Sequence, residues 1–351
     1  MKKIFLYAYD HINLGDDLFI ETIANRYPDT EIYFWTNVQN QKVFEKQKNL
    51  KIIDENSTKT KMLKKIRPSL AARYKAGIQK KCDAQVYIGG SIFMEYPTWK
   101  NIVSWWQYQS SQYPFFVLGA NFGPYHTEEY RSAMDKVYTK LKDICFRDSY
   151  SKNLFADNDH VRQAPDILFS YPMPKMEENK KQIFISVISY KDKELNSDFD
   201  QMTNEEYIEK MVQITSGFSK EGYQVILASF CREEGDLDAV QEIKNRSEQQ
   251  KNITIIDYDG TNRNQLLEEM SRSIYIIAAR FHGTILGLAA GTKYVLEDLG
   301  FHGEYADLRD PDSLSFENAK KNLESGYKID VTESIQNAEK HFEKLDEFLN
   351  N

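Results

Sequence analysis

A run of apolar residues, Ser273-Ile-Tyr-Ile-Ile-Ala-Ala279, stops at Arg280-Phe281-His282-Gly283 and resumes at once as Thr284-Ile-Leu-Gly-Leu-Ala-Ala-Gly291. The first run has the length of a buried strand and the second that of a short helix, with no turn sequence between them. A strand that passes directly into a helix belongs to a βαβ unit. In an open α/β sheet, ligands sit outside the carboxyl end of such a strand, facing the amino end of the next helix. This stretch therefore predicts a parallel sheet and sets a cation and an imidazole at its functional edge.

The same grammar repeats along the chain. Residues 3–9 form an apolar and aromatic run, as a strand covered on both faces requires. It breaks at Asp10-His11-Ile12-Asn13-Leu14-Gly15-Asp16-Asp17 before a helix with Leu18, Ile20, Ile23 and Ala24 on its apolar face. Further strands are expected over 31–35, 50–53, 83–88, 114–118 and 143–146, with a short strand-like segment over 163–169. The third of these ends in Gly89-Gly90-Ser91, the fourth in Gly119-Ala-Asn121-Phe-Gly123-Pro124, and the fifth in Arg147-Asp148-Ser149-Tyr-Ser151. The Pro- and charge-rich stretch from Tyr171 to Lys181 reads as a linker.

A second series follows, with strands over 183–190, 223–230, 253–258, 274–279 and 293–298. Helices over 204–221, 237–248, 264–271 and 283–290 alternate with them. The expected organisation is an amino-terminal α/β domain over 1–172, a carboxyl-terminal α/β domain over 182–330, and a final helix over 331–351. That helix has Ile335, Ala338, Phe342, Leu345 and Phe348 at helical spacing and is expected to pack back across the domain junction. Two doubly wound, Rossmann-like domains facing across a cleft make a GT-B-like fold, with the cleft as the expected binding site.

Composition narrows the function classes. The net charge of −8 over 351 residues offers no domain-wide basic surface, which argues against a nucleic-acid partner. Cys82, Cys145 and Cys231 lie far apart with no histidine at ligand spacing, so no metal site is expected, and the thiols read as reduced. The pairs Asp236/Asp238, Asp257/Asp259 and Asp310/Asp312 read as caps and turns. The basic start of the chain meets Asp10 too soon for a signal peptide, and no apolar run spans a bilayer, so a cytoplasmic protein is expected. Residues 57–82 are strongly basic. They read either as a solvated helix pair or as a surface that meets anionic lipid or a lipid-linked phosphate, in peripheral contact with the inner face of the membrane.

The chemical candidates sit at strand ends. Asn13-Leu14-Gly15-Asp16 suits a tight strand-to-helix turn and equally a site. Gly89 and Gly90 let a backbone approach a ligand or simply turn the chain. Arg147 can pair with Asp148 on the surface or present its fork to a carboxylate or phosphate. Arg280 and His282 together, at a strand end before small residues, point to an anion beside a proton-exchanging group.

Taken in order, these pieces resemble the polysaccharide pyruvyltransferase family: Asn13-Leu-Gly15-Asp16, Gly89-Gly90, Gly119 to Pro124, Arg147-Asp148-Ser149-Tyr-Ser151, Asp166, and Arg280-Phe-His282 with Ala290-Gly291. Two positions depart from the family pattern, Ser91 where a third Gly is common and Thr292 where Pro is usual; both read as structural. The resemblance implies a GT-B-like fold and transfer of pyruvate from phosphoenolpyruvate to a glycan or lipid-linked saccharide, leaving a ketal and needing no cofactor. It also implies Arg147, Arg280, His282 and Gly283 at phosphoenolpyruvate, with His282 as general acid. Asp16 is then the candidate base, and Asn13, Gly15, Asp16, Gly89, Gly90 and Asn121 line the acceptor. The competing readings are a GT-B glycosyltransferase using a nucleotide sugar and a non-catalytic relative. The acceptor's identity and the oligomeric state are not legible.

Overall fold

The computed structural model describes residues 1–37, 40–176, 180–191, 202–291, 311–325 and 329–350. Two compact units emerge. The first comprises Met1–His11, Asp16–Ser170 and Ser334–Asn351, and the second Ile12–Gly15 and Tyr171–Glu333.

The first unit is built on seven strands: β1 (Lys3–Tyr7), β2 (Glu31–Thr36), β3 (Leu50–Asp54), β4 (Ala84–Ile88), β5 (Phe115–Ala120), β6 (Asp143–Phe146) and β7 (Val161–Gln163). Their order is β3-β2-β1-β4-β5-β6-β7, and every pairing is parallel. Strands β5 and β6 are buried at every position, which explains their continuous apolar runs in place of a two-residue alternation. The Leu14–Arg26 helix supplies Leu18, Phe19, Ile20 and Ile23, all fully buried. A separate aromatic layer of Phe93, Trp106, Phe115, Tyr138, Phe146 and Phe155 packs edge to face.

The second unit carries β8 (Lys180–Val187), β9 (Gln224–Ser229), β10 (Ile253–Asp257) and β11 (Ser273–Ala278), parallel in the order β10-β9-β8-β11. The expected strand over 293–298, and Thr292 and Asp310, lie outside the described residues. The Asn204–Lys220 helix starts on a reciprocal capping box between Thr203 and Glu206, which satisfies two end donors. Strand order reverses between β1 and β4 in one sheet and between β8 and β11 in the other. Gly89-Gly90 and Arg280-His282 leave their sheets at these switch points, where α/β proteins place ligands.

Three expectations need correction. Gly15 and Asp16 are not loop residues; the helix already begins at Leu14, with Asn13 Oδ1 accepting from the Gly15 N–H at 3.1 Å. The strand-like 163–169 segment is split into β7 and a 3-10 turn over Ile167–Ser170. Pro165 has no N–H for a ladder, and Asp166 Oδ1 accepts from the Leu168 N–H at 2.9 Å, which curls the chain. The final amphipathic segment is not one helix. It runs as Thr332–Asn337, a 3-10 stretch Ala338–Phe342, and Glu343–Asn350.

From residue 334 this segment belongs to the first unit. Arg26 clasps Asp346 through Nε at 3.1 Å and Nη2 at 2.6 Å, and Tyr27 donates to the same carboxylate at 2.7 Å. The tight 3-10 stretch seats His341 fully buried in that unit. Among the described residues, no helix is long and apolar enough to cross a membrane.

Candidate functional site

In the first unit the site grows around Arg147, the residue after β6. Its backbone N–H donates to Ala120 O at 2.8 Å, tying β6 to the end of β5. Its guanidinium Nη2 donates to Asn121 Oδ1 at 2.7 Å and Nη1 to Asp166 Oδ2 at 3.3 Å. The side chain is 8% exposed and that of Asp166 is fully buried, so this is an interior ion pair. Burial pushes the Asp166 carboxyl up from its ordinary value, and the Arg147 charge pulls it back. A Cβ on Gly90 would lie 2.7 Å from the guanidinium, so only glycine leaves room for it at the end of β4. Ser91 Oγ donates to Asn121 Oδ1 at 3.2 Å from the other side.

The rest of the Arg147-Asp148-Ser149-Tyr150-Ser151 motif is a brace. Asp148 caps the short helix by accepting from the Ser151 N–H at 2.7 Å and from its hydroxyl at 2.8 Å. Ser151 Oγ in turn accepts from the Phe122 N–H at 2.8 Å, which fixes the loop that carries Asn121. Gly89 makes a looser fit, a Cβ there lying 3.3 Å from Ile92. Asp16 is half-buried in the first helical turn. Burial foremost, then the fields of Asp16 and Asp10, push the Tyr87 hydroxyl up to about 12.

Sequence reasoning missed His341 in this unit. The Gly119 N–H donates to its Nδ1 at 3.3 Å, so its proton sits on Nε2 and donates to Pro165 O at 2.9 Å. Burial pushes its pKa down to about 3, which keeps the ring neutral. It thus pins the backbone two residues before Asn121 and one before Asp166. No local pattern signals this, because the partners lie 222 and 176 residues away in sequence.

In the second unit Arg280 stands at the N-cap position of the Phe281–Ala289 helix, at the end of β11, without a side-chain capping bond. Asp236 holds its fork from two sides, with Nε donating to Oδ2 at 2.8 Å and Nη2 to Oδ1, while Nη1 reaches Glu234. The Asp236 side chain is fully buried and also accepts from the N–H groups of Ser189, Phe230 and Cys231 at 3.0–3.3 Å. Burial pushes its carboxyl up, and the hydrogen bond from Arg280 is the largest influence pulling it back. Asp236 was expected to be a cap; the N-cap is Gly235, and Asp236, the first helical residue, is instead the anchor that orients Arg280.

His282 lies half-buried in the first turn of that helix, its ring edge-on to Phe281 at 5.5 Å. The 12–15 segment belongs to this unit, with the Leu14 N–H donating to Phe230 O at 3.2 Å. A Cβ on Gly15 would overlap the His282 ring, so glycine is required there by the imidazole. A Cβ on Gly283 would meet Ser186 Oγ at 2.5 Å; glycine lets the helix close onto β8. Among the described residues, no group of three His, Cys, Asp or Glu is arranged to hold a metal ion.

The structure thus gathers Gly90, Asn121, Arg147 and Asp166 in one unit, and Asn13, Gly15, Arg280, His282 and Gly283 in the other. The family model for polysaccharide pyruvyl transferases matches residues 13–296, most of the chain and all of these positions. The chain belongs to the polysaccharide pyruvyl transferase family. No curated protein matches it. Among solved structures it is similar to Anabaena Alr3699/HepE in complex with UDP, at 10% identity and a TM-score of 0.56, with 100% of both chains covered. It is also similar to the UDP-GlcNAc 2-epimerase of Methanocaldococcus jannaschii, at 11% identity and a TM-score of 0.56, covering 99% of this chain and 100% of that one. The Neisseria meningitidis UDP-GlcNAc 2-epimerase bound to UDP-GlcNAc is 12% identical, with a TM-score of 0.55 and 100% of both chains covered. At such identities these likenesses carry the fold alone, a GT-B-like pair of Rossmann-like units. In this family member, the ordered motifs and the arginine anchors bear on the chemistry.

Proposed function

We propose that this chain transfers the pyruvyl group of phosphoenolpyruvate onto two hydroxyls of a sugar, leaving a pyruvate ketal on a cell-surface or exported polysaccharide or its lipid-linked precursor. The observation that carries this reading is the family match across residues 13–296, with Arg280-Phe281-His282 at the carboxyl end of β11 and the amino end of its helix. Cytoplasmic residence accords with phosphoenolpyruvate as donor.

The donor carries a carboxylate and a phosphate, and the reaction starts by placing a proton on its methylene carbon. His282 is the general acid in this reading, and the cation formed at the neighbouring carbon is attacked by a sugar hydroxyl, whose proton passes to Asp16. Phosphate then leaves with the electrons of its C–O bond. A second hydroxyl adds to the same carbon and gives its proton to the imidazole left neutral by the first step, closing the ketal ring. Arg147 and Arg280 hold the anionic groups, and N–H donors at the Gly283 end of the helix add to them. Asn13 and Gly89 are placed at the acceptor. Gly15, Gly90 and Asn121 are the remaining acceptor candidates, and they also make room for His282 and Arg147 and orient the latter.

The test is incubation with phosphoenolpyruvate and a panel of glycan and lipid-linked acceptors, following phosphate release and the mass of the ketal product. Pyruvyl transfer that falls by about 10²–10⁴ in His282→Ala, with the melting temperature retained, supports the acid role; near-normal turnover overturns it. The second reading, a nucleotide-sugar transferase, draws on structural neighbours solved with UDP or UDP-GlcNAc. Thermal protection by UDP-sugars and none by phosphoenolpyruvate would favour it.

A further inference from the structure

The segment from Asn56 to Cys82 holds nine Lys and Arg residues and no Asp or Glu, in a chain whose net charge is −8. Removing those nine charges leaves −17 on the remainder, so this is a cationic island on an acidic protein. It folds as two helices of the first unit, Thr58–Ile66 and Pro68–Gln79. Lys75 is spent internally, its ammonium lying 5.2–5.8 Å from the ring centres of Phe5, Tyr7 and Trp35, and Lys59 lies 4.0 Å over Tyr74. Among the described residues, Lys61, Lys64, Lys65, Arg67, Arg73, Lys80 and Lys81 make no ion pair.

The first of these helices is fastened at its start. Ser57 Oγ accepts from the Thr60 N–H at 3.2 Å, and buried Thr60 donates to Asp54 O at 3.4 Å. Beyond that turn it is almost wholly in water, and two large apolar side chains go with it: Met62 is 57% exposed and Ile66 66%. They are four residues apart, hence on one face, with Lys61 and Lys65 beside them and Lys64 and Arg67 further round the helix. The pattern in sequence shows no long apolar stripe; the structure shows a short one left uncovered.

An exposed apolar pair on a helix whose cations make no ion pair among the described residues is complementary to a surface that is anionic outside and hydrocarbon beneath. A nucleic acid would engage the cations but gives Met62 and Ile66 nothing to bury. We propose that the Thr58–Ile66 helix is a docking surface for an anionic lipid bilayer, with Met62 and Ile66 entering the headgroup boundary. The helix starts four residues after the end of β3, at the sheet edge that carries Arg147. Five strand spacings of about 4.8 Å put β3 and β6 roughly 24 Å apart. The inference is independent of the pyruvyl-transfer reading, because docking is measured without turnover.

The test is co-sedimentation of the full chain with vesicles of equal parts phosphatidylglycerol and phosphatidylcholine, against vesicles of phosphatidylcholine alone. The expected result is binding to the anionic vesicles only, weakening as salt rises. The exposed triple variant Lys61→Gln/Lys64→Gln/Lys65→Gln should bind on the order of 100-fold more weakly, at about five-fold per lysine. Met62→Ser/Ile66→Ser should weaken binding about ten-fold with the salt dependence kept. Three results would overturn the proposal: no anionic-vesicle binding at low salt, binding that neither variant changes, or capture of an RNA oligonucleotide with no vesicle binding.

Discussion

Arg147 and Arg280 are built on one plan and finished differently. Each follows a parallel strand, and each is anchored by an aspartate whose side chain is fully buried, Asp166 in one unit and Asp236 in the other. Arg147 meets its carboxylate at one nitrogen, at 3.3 Å, and gives another to the neutral amide of Asn121. Arg280 meets Asp236 through two nitrogens and Glu234 through a third. Among the described residues, one carboxylate is seen on Arg147 and two on Arg280. The lesson is that Arg280 is fixed by a two-point clasp on one carboxylate, while Arg147 is shared between a carboxylate and an amide.

The largest contrast lies in acid. Only the first cluster is backed by His341, whose pKa falls from 6.5 to about 3 on burial. A histidine lowered in this way is neutral in the fold and protonated in the unfolded chain between those values. Stability is therefore full above about pH 6.5 and is lost as pH falls towards 3, by roughly 5 kcal/mol in all. Burial raises Asp166 and Asp236, which act in the opposite sense, so the difference between wild type and His341→Gln isolates the imidazole. Denaturant melts from pH 7 to pH 3 should show a shallower acid limb in the variant. An unchanged limb would remove His341 from the comparison.

Next comes the unequal cost of cutting the two anchors. Asp236→Ala leaves Arg280 largely buried with only Glu234, and strands the N–H groups of Ser189, Phe230 and Cys231; the expected loss is about 3–5 kcal/mol. Asp166→Ala leaves Arg147 bonded to Asn121, and the expected loss is about 1–3 kcal/mol. Thermal unfolding reads this at roughly 2–4 °C per kcal/mol. If Asp166→Ala costs more, the two arginines are not finished in the way the geometry implies.

The strand-helix alternation behind both clusters was legible because burial on both faces writes itself into continuous apolar runs such as Phe115–Ala120, and the partly buried Ser273–Ala278 carries the same apolar run. The two arginines were legible because they stand where those runs stop. Their anchors were not. Asp236 lies 44 residues from Arg280 and looks like any acidic residue at a helix start, and His341 reaches Pro165 across 176 residues. Such pairings are decided by which loops the sheet order brings together, and one-dimensional spacing does not encode that. The short apolar pair Met62/Ile66 escaped for a related reason: its meaning depends on being left uncovered.

The smallest effect tests the charge difference itself. Glu234 is 42% exposed, so its bond to Arg280 is the partly solvated member of the cluster and contributes little to stability. Its charge still opposes any phosphate or carboxylate approaching that fork. Glu234→Gln keeps the side chain's shape, removes one negative charge and leaves Asp236 as the one carboxylate described on Arg280. Asp236 continues to orient the guanidinium through Nε and Nη2. Affinity for phosphoenolpyruvate, read by thermal protection or calorimetry, should rise roughly two- to five-fold, the scale of one exposed charge pair. Inorganic phosphate should follow in the same direction, and the gain should shrink as salt rises. A loss of affinity instead would mean that Glu234 holds Arg280 in its working orientation, and the contrast between the two arginines would then be one of position and not of charge.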